Sequence, residues 1–207
     1  MNPLQTTLYR ELDILKKHAV EHELASLEEM TETWFVVRLS KVALVGVLGF
    51  MFLLVAFNNI TDYNANFKFV RNIMSMTAIL SDNPNTWRAI PYPIVHHLLY
   101  WFVILWESLA AALCLWGTWR CVRVINAPAK VFNRAKGMAV AGLLLGTLLW
   151  LVPFIIVGGE WFLMWQSQVW NVSNSAFRFF TISLLILIYF IQPDTEAEQM
   201  TDEKSEF

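Results

Sequence analysis

The sequence predicts an all-α polytopic membrane protein: a four-transmembrane-helix bundle with a short amphipathic helix in its first outer loop and an N-terminal cytoplasmic helix. Three observations carry this. Of 207 residues 57% are apolar and only 15% charged, whereas soluble chains are about half apolar and a quarter charged. The excess is gathered into four blocks, each near the ~20 residues that cross the hydrocarbon of a bilayer as a helix. The Lys and Arg residues are also distributed unevenly along the chain, as the positive-inside bias requires.

The leader, residues 1–34, has no glycine and reads as an amphipathic helix, with Leu8, Leu12, Leu15, Ala19 and His22 at alternating spacings of four and three. Glu21, Glu23, Glu28, Glu29 and Glu32 flank that stripe. An acidic face suits a partner helix or self-association better than anionic lipid.

The spans fall at about 38–57, 95–119, 138–157 and 175–191. In the first, Gly46 and Gly49 allow close helix approach, as Gly142 and Gly146 do in the third. Between spans one and two, Phe67, Phe69, Val70, Ile73, Met74 and Met76 surround Lys68 and Arg71 in the pattern of an amphipathic helix. Turn chemistry follows at Asp82-Asn83-Pro84-Asn85. The second outer loop opens at Gly158, and Trp161 and Trp165, one helical turn apart, suit an interfacial helix. The fourth span needs Arg178 to reach outward to the interface. Residues 193–207 read as an acidic, disordered cytoplasmic tail.

Eleven of the fifteen Lys and Arg residues lie in the leader and start of span one, the middle loop or the tail; Lys68, Arg71, Arg88 and Arg178 lie opposite. Both termini and the middle loop are therefore expected in the cytoplasm. The net charge of −2 argues against nucleic-acid binding. Cys114 and Cys121, in and near the cytoplasmic half of span two, read as small packing residues.

Glu107, near the centre of span two, is the costly residue, because a carboxylate facing lipid costs roughly 2.5 kcal/mol or more. It shares a stripe with His96, Tyr100, Val103, Ala111, Cys114 and Thr118, which is expected to face the bundle. Three roles compete: a structural hydrogen-bonded acid, a proton-linked or cation site with His96, His97 and Tyr100 nearby, or the wall of a pocket for a lipid or quinone. Haem and metal sites are not expected: the other two histidines, His18 and His22, lie at the opposite end, and no ligand spacing fits a metal. No phosphate loop, nucleophile elbow or zinc-binding helix occurs. Asn59-Ile60-Thr61 matches a glycosylation tripeptide.

From Leu39 to the end of span four the chain resembles a bacterial family of predicted small integral membrane proteins, catalogued as domain of unknown function 2165. The resemblance is carried by Phe57-Asn58-Asn59-Ile60-Thr61-Asp62, Trp87-Arg88-Ala89-Ile90, His96-His97, Trp106-Glu107, the run from Gly158 to Ser167 and Ala176-Phe177-Arg178-Phe179-Phe180. It implies four spans and an inner-membrane location, and brings no activity with it. It also draws attention to polar residues of the outer side, Asn58, Asp62, Asn66, Arg88, Glu160, Gln166 and Arg178. These form either a ligand site or a latch joining the outer loops, with Glu160 or Asp62 expected to pair with Arg88 or Arg178.

The function expected is that of a non-enzymatic accessory or scaffold subunit with a polar and aromatic outer cap, its partners being the bilayer and a membrane protein or a second copy. The alternative is a small proton-linked transporter or lipophilic-ligand binder using Glu107.

Overall fold

The computed structural model describes residues 3–77, 79 and 83–194, with side chains described from Leu15 onward except Ala19 and residues 23–32. Asp82 and the tail from residue 195, like the side chains of Leu8, Leu12 and Ala19 in the leader stripe and of Glu23, Glu28, Glu29 and Glu32 beside it, lie outside what is described.

Among the described residues, four helices are long and apolar enough to cross a membrane: Thr33–Thr61, Pro93–Arg123, Gly137–Trp161 and Ser173–Ile191. The first belongs to a single helix, α1 (Pro3–Thr61). The leader, expected to be helical, is so and runs unbroken into the first span, since no glycine or proline interrupts the chain between Pro3 and Gly46. After α1 come α2 (Tyr63–Met74), a 3₁₀ turn at Pro84–Arg88, α3 (Pro93–Arg123), the short α4 (Ala129–Ala135) and α5 (Gly137–Leu149). α5 continues as a π segment, Trp150–Trp161, and a 3₁₀ turn at Met164–Gln166 leads to α6 (Ser173–Ile191).

Glycines set the packing. A Cβ on Gly49 would meet Cys114 Cβ at 2.7 Å, and one on Gly142 would meet Cys114 N at 2.6 Å. α1, α3 and α5 therefore converge on Cys114, whose small buried side chain is required there. Gly117 lies against the backbone of Ala139 and Gly146 against the Phe52 ring, so these small residues serve packing within the chain.

The π segment corrects the expected end of span three. Pro153 lacks an N–H to donate, and the Phe162 N–H reaches the carbonyl of Val157, five residues back. Gly158, Gly159 and Glu160 consequently lie within the helical segment, not in a loop. Nor do Trp161 and Trp165 share a helix, because Leu163 between them adopts the left-handed conformation, φ 55°.

Four crossings bring both ends of the bundle chain to one face. There Asp194, expected in a disordered tail, is fastened: its carboxylate pairs with Lys41, Lys136 and, at 3.8 Å, Arg38. Its main chain exchanges two hydrogen bonds with the Asn133 amide. Arg38 also donates to the Ile125 and Ala127 carbonyls at 2.8 and 2.6 Å and lies over the Trp34 ring. Burial pulls the Lys136 ammonium below its ordinary range, against the opposing pull of Asp194.

Candidate functional site

The opposite face is capped by α2 and the two 3₁₀ turns. Ile73, Met74, Met76, Phe162, Leu163 and Met164 form a small core of their own. The two connecting segments are tied together by Asn83 Nδ2 donating to Gln166 Oε1 at 3.0 Å, and by Arg88 Nη1 donating to the Trp161 carbonyl at 3.3 Å. Trp87 and Trp161 meet edge-to-face, 6.0 Å between centroids, and the Arg88 guanidinium lies beside the pair, 5.6 and 5.1 Å from the two centroids.

The expected ion pairs do not form: among the described residues, neither Asp62 nor Glu160 has a cation within 4.0 Å. Both carboxylates are exposed and stay hydrated. Arg88 uses a carbonyl and two indoles instead, and Arg178 Nε donates to the carbonyl of Asn174 on its own helix. Of the seven polar residues singled out, Arg88 and Gln166 join the latch. Asn66 joins a different network, while Asn58 contributes its backbone carbonyl to the Asp62 N–H.

That network is built on Glu107, which is 1% exposed. Asn59 Nδ2 donates to Glu107 Oε2 at 2.7 Å, and Asn59 Oδ1 accepts from Asn66 Nδ2 at 2.6 Å and from the Tyr100 hydroxyl at 3.2 Å. Antiparallel register explains the meeting: Gly46 faces Thr118 and Gly49 faces Cys114, so Asn59 falls between Tyr100 and Glu107, one turn to either side. Glu107 lies at the middle of α3, as expected. It is about 10 Å toward the cap from the level where Gly49 meets Cys114, near the last turn of α1, because α3 begins beyond the end of α1.

The rest of the stripe faces inward as expected. His96, Tyr100, Ala111 and Cys114 are buried, and Val103 and Thr118 half-buried. His96 Nε2 donates to the Ile90 carbonyl at 2.7 Å, holding the segment before α3 against its first turn. His97 is exposed, stacks on Phe67 at 4.0 Å and shares a 2.8 Å hydrogen bond with the Tyr63 hydroxyl. Partial burial raises the Tyr63 phenol above its ordinary value. Among the described residues no three metal-ligating side chains converge.

A second feature lies around the corner of α3. A half-open apolar cavity of about 250 Å³ is walled by Phe69 and Val70 of α2, Val103 and Trp106 of α3, and Val152 and Val157 of the π segment. Glu107 does not line it. The Trp106 N–H, which could have put a polar atom there, is consumed by the Leu145 carbonyl at 3.0 Å.

Sequence reasoning gave Asn59 no role, quoting it only within a tripeptide and a run of family resemblance, and missed the Asp194 clasp, whose partners come from two distant stretches, 38–41 and 133–136. An amide just past the end of the first apolar block but still within α1 was the available signal for Asn59.

No curated protein and no solved structure matches the chain. The sequence profile of a family described as predicted small integral membrane protein matches residues 37–193, so that most of the segment before the first span lies outside the match. With four membrane-spanning helices and a match over most of its length, the chain belongs to that family, DUF2165.

Proposed function

We propose that this protein is a non-enzymatic accessory or scaffold subunit of the bacterial inner membrane, with both termini in the cytoplasm, that engages another protein through the extended start of α1. One observation carries this. α1 continues past the level of Ile125 and Ala127, where Arg38 ties it to the bundle, as roughly 45 Å of helix before Thr33. Each of its side chains described there is exposed, including Leu15 at 65% and Val20 at 54%. A helix draws most of its stability from packing an apolar face, and a partner supplies that packing. The orientation is supported by the basic residues of the middle loop at the same end.

A photo-crosslinking residue at Leu15 tests the reading in cells. The expected result is one discrete adduct of constant mass, lost when the residue is moved to the opposite face of α1 at Lys17. Labelling that is diffuse at both positions would overturn it.

The proton-linked alternative draws less support. Glu107 is enclosed by Asn59 and Tyr100, and each member of the network has a partner within the bundle.

A further inference from the structure

The cap-side cavity has features that packing alone does not require. It is a groove of about 250 Å³ that opens on the lipid-facing side and is walled by α2, α3 and the π segment, so its natural filling is the apolar part of whatever lies beside it. Its far wall is the π segment, a geometry that is rare and concentrated at functional sites. Pro153 and Gly158, at the two ends of one wide turn, both line it.

The position and charge of the walls select the occupant. The cavity lies between two membrane-spanning helices, and its rim residues Leu99, Phe102 and Val157 are 41, 53 and 39% exposed on the lipid-facing side. The medium at that opening is hydrocarbon. No polar side chain lines the space, so neither a headgroup nor a quinone ring would find a hydrogen bond inside. α2 forms the roof with its apolar side, while Lys68 and Arg71 are exposed. Two cations therefore stand at the level where a phosphate attached to the buried chain remains outside. Exposed Trp87, Trp161 and Trp165 mark the same end as interfacial.

We infer that the cavity holds one acyl chain of a bilayer phospholipid, entering sideways between α3 and the π segment, with its phosphate left beside α2. This goes beyond the scaffold reading and does not depend on the start of α1.

The test uses the full chain in nanodiscs containing a phospholipid with a mid-chain diazirine, with adducts mapped by mass spectrometry. Adducts are expected to concentrate on the peptides carrying Val103 and Trp106 and those carrying Val152 and Val157, and to saturate against unlabelled phospholipid. Filling the space with Val103→Trp, or from the rim with Val157→Trp, displaces several chain carbons and should lower those adducts about ten-fold. Labelling of the lipid-facing side of α6, at Ile182, Leu185 and Ile188, should not change. Two variants allow one to be discarded if its thermal unfolding shows misfolding. Adducts spread evenly over all lipid-facing helices, unsaturable and unchanged in the folded variant, would mean ordinary boundary lipid and overturn the inference. Crosslinks from cavity residues to a second copy would overturn it too.

Discussion

Removing the Asp194 carboxylate should be among the most damaging single changes to the bundle. Its side chain is 3% exposed and is the shared counter-charge of Lys41, at 3.4 Å, and Lys136, which are 3 and 6% exposed, with Arg38 at 3.8 Å. Asp194→Ala leaves these cations buried with their carboxylate gone and the desolvation cost unrelieved. Breaking a buried pair in this way costs about 3–5 kcal/mol. At roughly 2–4 °C per kcal/mol for a chain of this size, Tm should fall by about 6–20 °C. The assay is thermal unfolding in mild detergent, followed by the intrinsic fluorescence of the ten tryptophans. Asp194→Asn should fall between, since the amide still accepts a hydrogen bond but carries no charge. Pairing Asp194→Ala with Lys136→Met should cost less than the sum of the two, because the same contact is lost in both. An Asp194→Ala protein melting within about a degree of the parent would refute the clasp.

Three other changes probe the rest of the bundle. Glu107→Gln preserves an acceptor for Asn59 and should leave Tm nearly unchanged, whereas Glu107→Leu strands the Asn59 amide and should cost about 1–3 kcal/mol by the same melt; equal losses in the two variants would show that charge, not the hydrogen bond, matters. Gly117→Ala sets a methyl against the Ala139 main-chain nitrogen, closer than the two atoms can approach, while the methyl of Gly146→Ala meets the edge of the Phe52 ring, so the first should destabilise more, with overpacking costs of about 1–3 kcal/mol; the reverse order in a melting comparison would contradict the helix register. Arg88→Lys keeps the charge but loses the planar group that lies beside two indoles and donates to the Trp161 carbonyl, and should loosen the cap, seen as faster protease cleavage between Asn83 and Trp87; an unchanged cleavage rate would remove the latch.

The number of spans was legible from the length of the apolar blocks, and the inward stripe of α3 and the amphipathic α2 from helical spacing, because each is a property of one segment taken alone. The expected pairing of Glu160 or Asp62 with Arg88 or Arg178 was not reliable. Sequence shows that opposite charges share a membrane face, but not that a carbonyl and two indoles offer Arg88 more than a hydrated carboxylate does. The leader was legible as a helix because it contains no residue that breaks one, and since a change from polar to apolar composition does not end a helix either, it continues into the first span.

By itself the sequence determined that four segments must lie in hydrocarbon and that Glu107 could not face lipid, since both follow from transfer cost residue by residue. Only the tertiary structure decided what Glu107 meets and that Asp194 is a buried counter-charge. These depend on the register between α1 and α3 and on contacts between residues up to 156 positions apart, from Arg38 to Asp194. That register is set by where glycines let two backbones touch, a property of pairs of helices that neither helix records alone.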